Sequence, residues 1–403
     1  MTAGGTSAAE FGSGTDLDTA MADLVSRDAV ELPPYPAVAL RIARLVRGGD
    51  YGLDELARLV GTDQALAAEL LRVANSSLYQ RGTPVASLPA AASRIGAEEL
   101  SRLGLALGLG PFAGAKGPLA PLRRRAWHDA LASAVMCRDL ARVRKVSADD
   151  AFTCGLLHDF GKIVAIAAIE RIAAGSQPAR AMPASFWGAV VDRYHVDIGN
   201  VLASRWQLPD VVGEVIAHHH AAADSDAAKA VREPEILELV RTVDPLVGLL
   251  SERSSLGPAE VAALTKLSEA DTDALERTLQ ALPSFVASLE QPALPEGHDW
   301  LEGPAHAPSQ PAGERRVYLH VGGGDFEATG FGPHQLHARG TVPLPEGILV
   351  EVEALSPRPF TFHARVLLCW AEGPRFGVVL MPFALSGPAL LHWRALVPSG
   401  GDA

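Results

Sequence analysis

The sequence predicts a multidomain protein, an all-α helical domain followed by a small antiparallel β-barrel. Three observations carry this. Apolar residues recur at helical spacing between Ala37 and Leu289, as in Val38, Ile42 and Leu45, or Leu66, Leu70 and Val73. Residues 291–313 then alternate Pro, Gly, Ala and His, which is linker chemistry. Beyond them the period drops to two: Leu349 to Glu353, Phe360 to Val366 and Arg375 to Leu380 read as half-buried strands, separated by Pro-Gly turns.

The bulk properties fit this division. A chain of 403 residues exceeds what one core usually organises. Its hydrophobic fraction of 48% is that of a globular protein, as is its mean hydropathy of +0.13. A net charge of -12 argues against a general binder of nucleic acid or of anionic membranes, so neither is expected as a partner. Cys137, Cys154 and Cys369 are far apart and odd in number, which suggests no disulfide framework and fits a reducing, cytoplasmic setting. No uninterrupted apolar run approaches the ~18 residues of a membrane span, so no membrane insertion is expected.

Taken in order, residues 1–26 read as a disordered tail rich in Gly, Ala, Ser and Thr. Leu32-Pro33 leads into a helix over Ala37 to Val46, and the leucines from Leu53 to Leu59 make a second, which Gly61 is placed to end. Asp63 is a candidate N-cap for a third helix that runs into Ala74-Asn75-Ser76-Ser77-Leu78-Tyr79. Ser87 opens another helix, and Ala97 to Leu109 is a further apolar one. A Gly/Pro-rich loop leads to a long helix containing Trp127-His128-Asp129. The next helix carries His158 and Asp159 and continues through Ile163 to Ile172. Phe186 to Tyr194, His195 to Trp206, Asp210 to His220 and Glu235 to Leu250 follow, with Ala221 to Arg232 as a surface loop. Two more helices and a short last one opened by Pro283 complete a helical extension over 233–290.

One stretch concentrates the chemistry. Gly155-Leu156-Leu157-His158-Asp159-Phe160-Gly161-Lys162 sets an imidazole beside a carboxylate in an apolar helical run. His128, His195, the triplet His218-His219-His220 and Asp244 all lie in segments that read as helix. That set is rich enough to hold one divalent ion, or two. A buried His-Asp pair can also persist as a hydrogen-bonded core feature without metal, and His218 to His220 can equally end a helix favourably.

These motifs resemble the HDOD family, regulatory relatives of the HD phosphohydrolases, over about residues 27–222. Leu32-Pro33, Asp63 with its leucine helix, Ala74 to Tyr79 and Arg94-Ile95-Gly96 match the part (27–110) that precedes the HD-like part. Gly155 to Lys162, His195-Val196-Asp197-Ile198-Gly199, Trp206-Gln207-Leu208-Pro209 and His219-His220 match the HD-like part (121–222). The resemblance implies an all-α fold and a bacterial signalling role with output through protein partners. It also implies a ligand set: His128, His158, Asp159 and Asp244 for a first ion, with His195, His219 and His220 at the positions of extra histidines in two-metal HD-GYP relatives. Iron, manganese or zinc would suit such a set. If the protein were a hydrolase, Asp159 and Lys162 would be its catalytic residues, Lys162 facing a phosphate. The DGxGYP loop of those relatives is replaced by Ala221-Ala222-Ala223-Asp224-Ser225-Asp226.

The tail, 314–398, looks like a PilZ domain in its barrel pattern and its Arg315-Arg316 start. PilZ domains that bind cyclic di-GMP carry RxxxR and a later D/NxSxxG. Here His320 stands four residues after Arg316, and Gly330, Gly332 and Gln335 align with the second motif, so cyclic di-GMP is not expected as a ligand. The expected protein is a cytoplasmic bacterial signalling adaptor, with a homodimer left open. The alternative is a metal-dependent phosphohydrolase of nucleotides or phosphodiesters.

Overall fold

The computed structural model describes residues 14–396 apart from 28, 33–35, 50, 81, 115–116, 174–183, 223–224, 253–266, 291–309, 312–316, 333 and 356–358. The helical part comprises α1 (Gly14–Ser26), α2 (Ala37–Gly48), α3 (Leu53–Val60), α4 (Gln64–Ala74), α5 (Leu88–Ile95), α6 (Ala97–Ala113), α7 (Ala120–Arg144), α8 (Ala148–Leu157) and α9 (Phe160–Ala173). It continues with α10 (Ala184–Arg205), α11 (Asp210–His218), α12 (Asp226–Lys229), α13 (Pro234–Glu252) and α14 (Glu269–Leu289). Side-chain caps start several of these where the sequence places them. Asp63 accepts from the Leu66 amide at 3.0 Å, and Ser87 accepts from the Ala90 amide at 3.4 Å.

Helix α7 is the hub, packed by α6, α8, α9, α13 and α14. Its contact with α8 is a backbone approach: a Cβ on Gly155 would lie 2.7 Å from the Ser133 carbonyl oxygen. Only glycine admits that spacing. Of all helical stretches among the described residues, Ala148–Ile172 comes nearest to a membrane span in length and composition, and 83% of its most apolar window is buried inside this array.

Several helix boundaries differ from expectation. Residues 14–26, read as tail, form α1, because Met21 is fully buried and Leu24 and Val25 pack on the same core; residues 1–13 lie outside the described set. His158 and Asp159 sit in a turn between α8 and α9 instead of inside one helix. His195 lies in the middle of α10, which is continuous from Ala184 to Arg205. Pro283 lies inside α14 and opens no separate helix. Residues 226–229 of the expected loop form α12. The helix expected over Pro258 to Leu267 falls almost wholly outside the described residues, as do most of the linker and Arg315-Arg316.

The C-terminal strands are β1 (Gln310–Pro311), β2 (Tyr318–Val321), β3 (Gly324–Phe331), β4 (Leu336–Gly340), β5 (Leu349–Ala354), β6 (Phe360–Glu372) and β7 (Arg375–Pro382), followed by α15 (Gly387–Leu396). The order β3-β2-β5-β6-β7-β4, with β4 pairing back onto β3, closes an antiparallel six-stranded barrel, and the short β1 adds to β3. The alternation read from the sequence holds: in β5, Val350, Val352 and Ala354 point into a core shared with Leu319, Phe326, Phe362 and Val378, while Glu351 and Glu353 are exposed. Closure leaves no long unpaired edge in the barrel.

The barrel is docked on the helices. Leu349, Phe383 and Ala384 belong to the helical core. The Pro345-Glu346-Gly347 turn reaches α7, where Arg124 donates to the Glu346 carbonyl. A Cβ on Gly347, which has φ of +79°, would lie 2.8 Å from the Pro121 Cα. Both the left-handed backbone and the close approach require glycine there.

Candidate metal centre

Four segments bring the candidate side chains together: the α8–α9 turn (His158, Asp159), the middle of α10 (His195), the end of α11 (His219, His220) and α13 (Asp244). Helices α9 and α10 approach so closely that a Cβ on Gly161 would lie 2.0 Å from the His195 carbonyl oxygen. Gly161 therefore sets the spacing between Asp159 and His195. Neither the expected helix through His158 nor a side chain at 161 would permit it.

Three of the histidines are oriented in the same way. The Nδ1 of His158 lies 2.9 Å from the Gly155 carbonyl, that of His195 2.7 Å from the Asp192 carbonyl, and that of His219 2.9 Å from the Ile216 carbonyl. A carbonyl oxygen only accepts, so Nδ1 carries the proton in each neutral ring and Nε2 presents a bare lone pair. Metal-ligating histidines are commonly held by such a bond from the other nitrogen.

The bare atoms converge. His195 Nε2 is 3.2 Å from Asp159 Oδ1, 3.4 Å from His219 Nε2 and 3.1 Å from His220 Nε2. His219 Nε2 is 3.5 Å from the same carboxylate oxygen. Ligands about 2.1 Å from one ion stand roughly 3.0–3.4 Å apart in octahedral or tetrahedral arrangements, which is the spacing found. His158, His195, His219 and Asp159 are all buried. Asp159 Oδ1 and His158 Nε2 make no hydrogen bond. Buried acceptors facing one another with no donor among them are costly unless a cation completes the set.

A second group shares Asp159. Its Oδ2 is 3.5 Å from His158 Nε2, and Asp244 Oδ1 is 3.6 Å from that nitrogen. Asp159 Oδ2 also takes Lys162 Nζ at 2.6 Å. An oxygen already in a charge-assisted bond is the poorer ligand, so the His195–His219–His220–Asp159 group is the better prepared of the two.

Electrostatics follow the same division. Burial pushes the pKa of Asp159 up, but His158, His219, Lys162 and His195 hold it well below the usual carboxylate range. Burial opposes charge on His158, yet Asp159 and Asp244 outweigh it and raise its pKa. Burial dominates at His195, lowering its pKa despite Asp159. Burial and then His219 lower that of His220. Neutral imidazoles and an ionised carboxylate are the forms that bind metal.

His128 does not join either group. Its Nε2 pairs with a Glu290 oxygen, and its ring lies 6.4 Å from that of Phe383 in the barrel. The reason is helical phase: the face of α7 against α8 contains Ala134 and Cys137, and nine residues separate His128 from Cys137, about 180° around the axis. His218 ends α11 as its last-turn basic residue.

Sequence reading missed Glu290, whose Oε1 also accepts from the Leu349 amide at 3.2 Å, and the pair Arg365–Asp129 at 3.6 Å across the barrel seam. Glu290 follows the last apolar repeat of α14, where nothing in the sequence separates it from a solvated helix end. Arg365 carried no signal either, since it shares the polar phase of the β6 pattern with Thr361 and His363.

Residues 32–222 match the HDOD domain family. An uncharacterized protein of Treponema pallidum (strain Nichols) is 27% identical over 212 residues, which are 51% of this chain and 40% of that protein, so the chain spans about two fifths of the length of the curated relative it matches. Among solved structures, a candidate metal-dependent phosphohydrolase from Shewanella amazonensis SB2B shares the fold at 21% identity and a TM-score of 0.50, covering 69% of this chain and 99% of that one. An HDOD domain protein of unknown function from Geobacter sulfurreducens gives 21% identity and a TM-score of 0.49 over the same shares. The HDOD match thus covers the segments that carry His158, Asp159, His195, His219 and His220, while Asp244 lies beyond it.

Proposed function

We propose that this protein is a bacterial cytoplasmic signal-transduction adaptor. Its HDOD module acts through protein contacts and holds a divalent ion for structure, without turnover. The observation that carries this reading is the position of His128: the first ligand of the H…HD…D order is engaged by Glu290 and lies outside both donor groups. Lys162 supports it by occupying the Asp159 oxygen that a second ion would need. The Asp159, His195, His219 and His220 donors would hold the ion, with His158 and Asp244 as the second set. When bound, a divalent ion lowers the pKa of coordinated water and neutralises charge on phosphorus. Here the residues fix imidazole tautomers and keep the carboxylate ionised, which serves binding whether or not chemistry follows.

The barrel is proposed as a PilZ-like module that has lost cyclic di-GMP binding and serves protein contact. His320, at the position of the motif's second arginine, is exposed and bonds Asp325 at 2.9 Å.

A second reading, a phosphohydrolase, is favoured by the converged donors and by the partial exposure of Lys162, Asp244 and His220 on one side of the centre. One experiment separates the two. Metal content is measured on protein purified without chelator or histidine tag, beside a His158→Ala/Asp159→Ala variant, and both are assayed with bis-p-nitrophenyl phosphate after addition of manganese, iron or zinc. The adaptor reading expects no turnover in either protein. Turnover that the double variant loses would replace it with the hydrolase.

A further inference from the structure

A cleft of about 500 Å³ opens on the opposite side of α7 from the metal centre, between the segment after α4, α7 and α14. It falls in the size range of small-molecule sites and is far larger than one water needs. Its walls divide into two chemistries. Val135, Phe285 and the 38%-exposed Leu78 give an apolar side. Arg138, Arg142 and Arg277 give a cationic one.

The acceptors in the cleft are already used. Glu99 takes the Tyr79 hydroxyl at 2.9 Å and Arg102 at 2.9 Å. Asp139 takes Arg138 at 2.8 Å, the Thr278 hydroxyl at 2.8 Å and Arg142 at 3.3 Å. The donors are not used up. Each guanidinium has five N–H groups; Arg142 spends one on Asp139, and exposed Arg277 makes no ion pair among the described residues. With three arginines against two satisfied carboxylates, the cleft is locally positive in a chain of net charge -12. A cleft that offers unused donors beside an apolar wall, with its carboxylates already paired, is complementary to an anion carrying an apolar body.

We propose that this cleft is a binding site for a small amphipathic anion, a carboxylate or phosphate monoester with an aryl or short acyl body. The anion pairs with Arg277 and Arg142, and the body lies on Leu78, Val135 and Phe285. This site does not depend on the metal centre. Leu78 and Tyr79, from the Asn75 to Tyr79 stretch, both line this cavity. Asn75 itself is consumed in tying down the following loop, through its side-chain bonds with Val85.

The test uses the full chain with phenyl phosphate and 2-naphthoate as probes and inorganic phosphate and 2-naphthol as controls, by titration calorimetry. Expected is saturable binding of at least one probe with Kd below about 1 mM, and at least ~10-fold weaker binding of either control, since each lacks half of the contact. Arg277→Glu should weaken the probe by ~10-fold or more, and Ala281→Trp, at the exposed lip of the cleft, should block it. Both substitutions are at exposed positions of α14, and an unchanged unfolding midpoint confirms that they fold. Failure of both probes to bind, or equal binding by wild type and Arg277→Glu, would overturn the proposal. An acidic peptide that needs Arg277 while both small probes fail would also overturn it and assign the cleft to a protein partner.

Discussion

Two buried histidine sites lie within this helical array, and they are built on opposite principles. At His128, one ring nitrogen meets a carboxylate, Glu290, whose Oε1 also accepts from the Leu349 amide, so one carboxylate links helix α7 to the barrel. At His195 and His219, two imidazoles turn bare ring nitrogens towards the Asp159 carboxylate, with His220 beside them. The first pairs one ring nitrogen with a carboxylate and leaves only Nδ1 without a hydrogen bond. The second leaves buried acceptors that a cation would complete. Burial alone therefore does not distinguish the two sites; convergence of several ring nitrogens on one carboxylate does.

The sharpest way to break this contrast is to remove one member of each site and read metal. Asp159→Asn should reduce bound metal to background, because both donor groups share that carboxylate, whereas His128→Ala should leave it near the wild-type level. Both are read by elemental analysis of protein purified without chelator. Metal loss in His128→Ala would return His128 to the ligand set. Next in size is Glu290→Ala, which leaves His128 buried opposite an empty position. Removing one partner of a buried pair costs about 3 kcal/mol, read by urea unfolding, with bound metal unchanged.

Much of this was legible in the sequence, for physical reasons that can be named. Period 3.6 to Leu289 and period 2 beyond it gave the two architectures, because one face of each element must be apolar. Within the centre, His158, Asp159, His195, His219, His220 and Asp244 were all identifiable from residue type and spacing. His128 was not placed correctly with them, because a motif order says nothing about which side of α7 a side chain leaves. That depends on phase relative to α8, which the Gly155 approach to Ser133 sets. The helix over 14–26 was masked by small residues around a single well-buried methionine, Met21. The docking of the barrel was invisible, since Arg365, Glu290 and Gly347 matter only through residues far away in the chain.

The seam offers a smaller effect of opposite sign. Arg365 is 2% exposed, and its Nε and both terminal nitrogens make no hydrogen bond. Its nearest acid, Asp129, is 3.6 Å away. Burial lowers its pKa, as expected for a cation held in an apolar place with little compensation. Desolvation outweighs the attraction in such a geometry, so Arg365→Met should be neutral or stabilising, by up to about 2 kcal/mol. A loss of more than that on urea unfolding would show the Arg365–Asp129 pair to be a real fastener of the barrel.

The last test separates the two sites by proton linkage. Burial raises the pKa of Glu290, but His128, the Leu349 amide and Arg124 more than offset this and hold it below its ordinary 4.5. A carboxylate whose folded pKa is depressed binds fewer protons folded than unfolded. Its contribution is therefore fully present above pH 4.5 and is lost as pH falls from there through the depressed value. Glu290→Gln should flatten that acid limb of the stability curve in urea-unfolding series, while leaving the curve above pH 5 parallel to wild type. An unchanged acid limb would mean that Glu290 is as easily protonated in the fold as out of it. In that case the seam would be held by the apolar contacts of Leu349 and Phe383 alone.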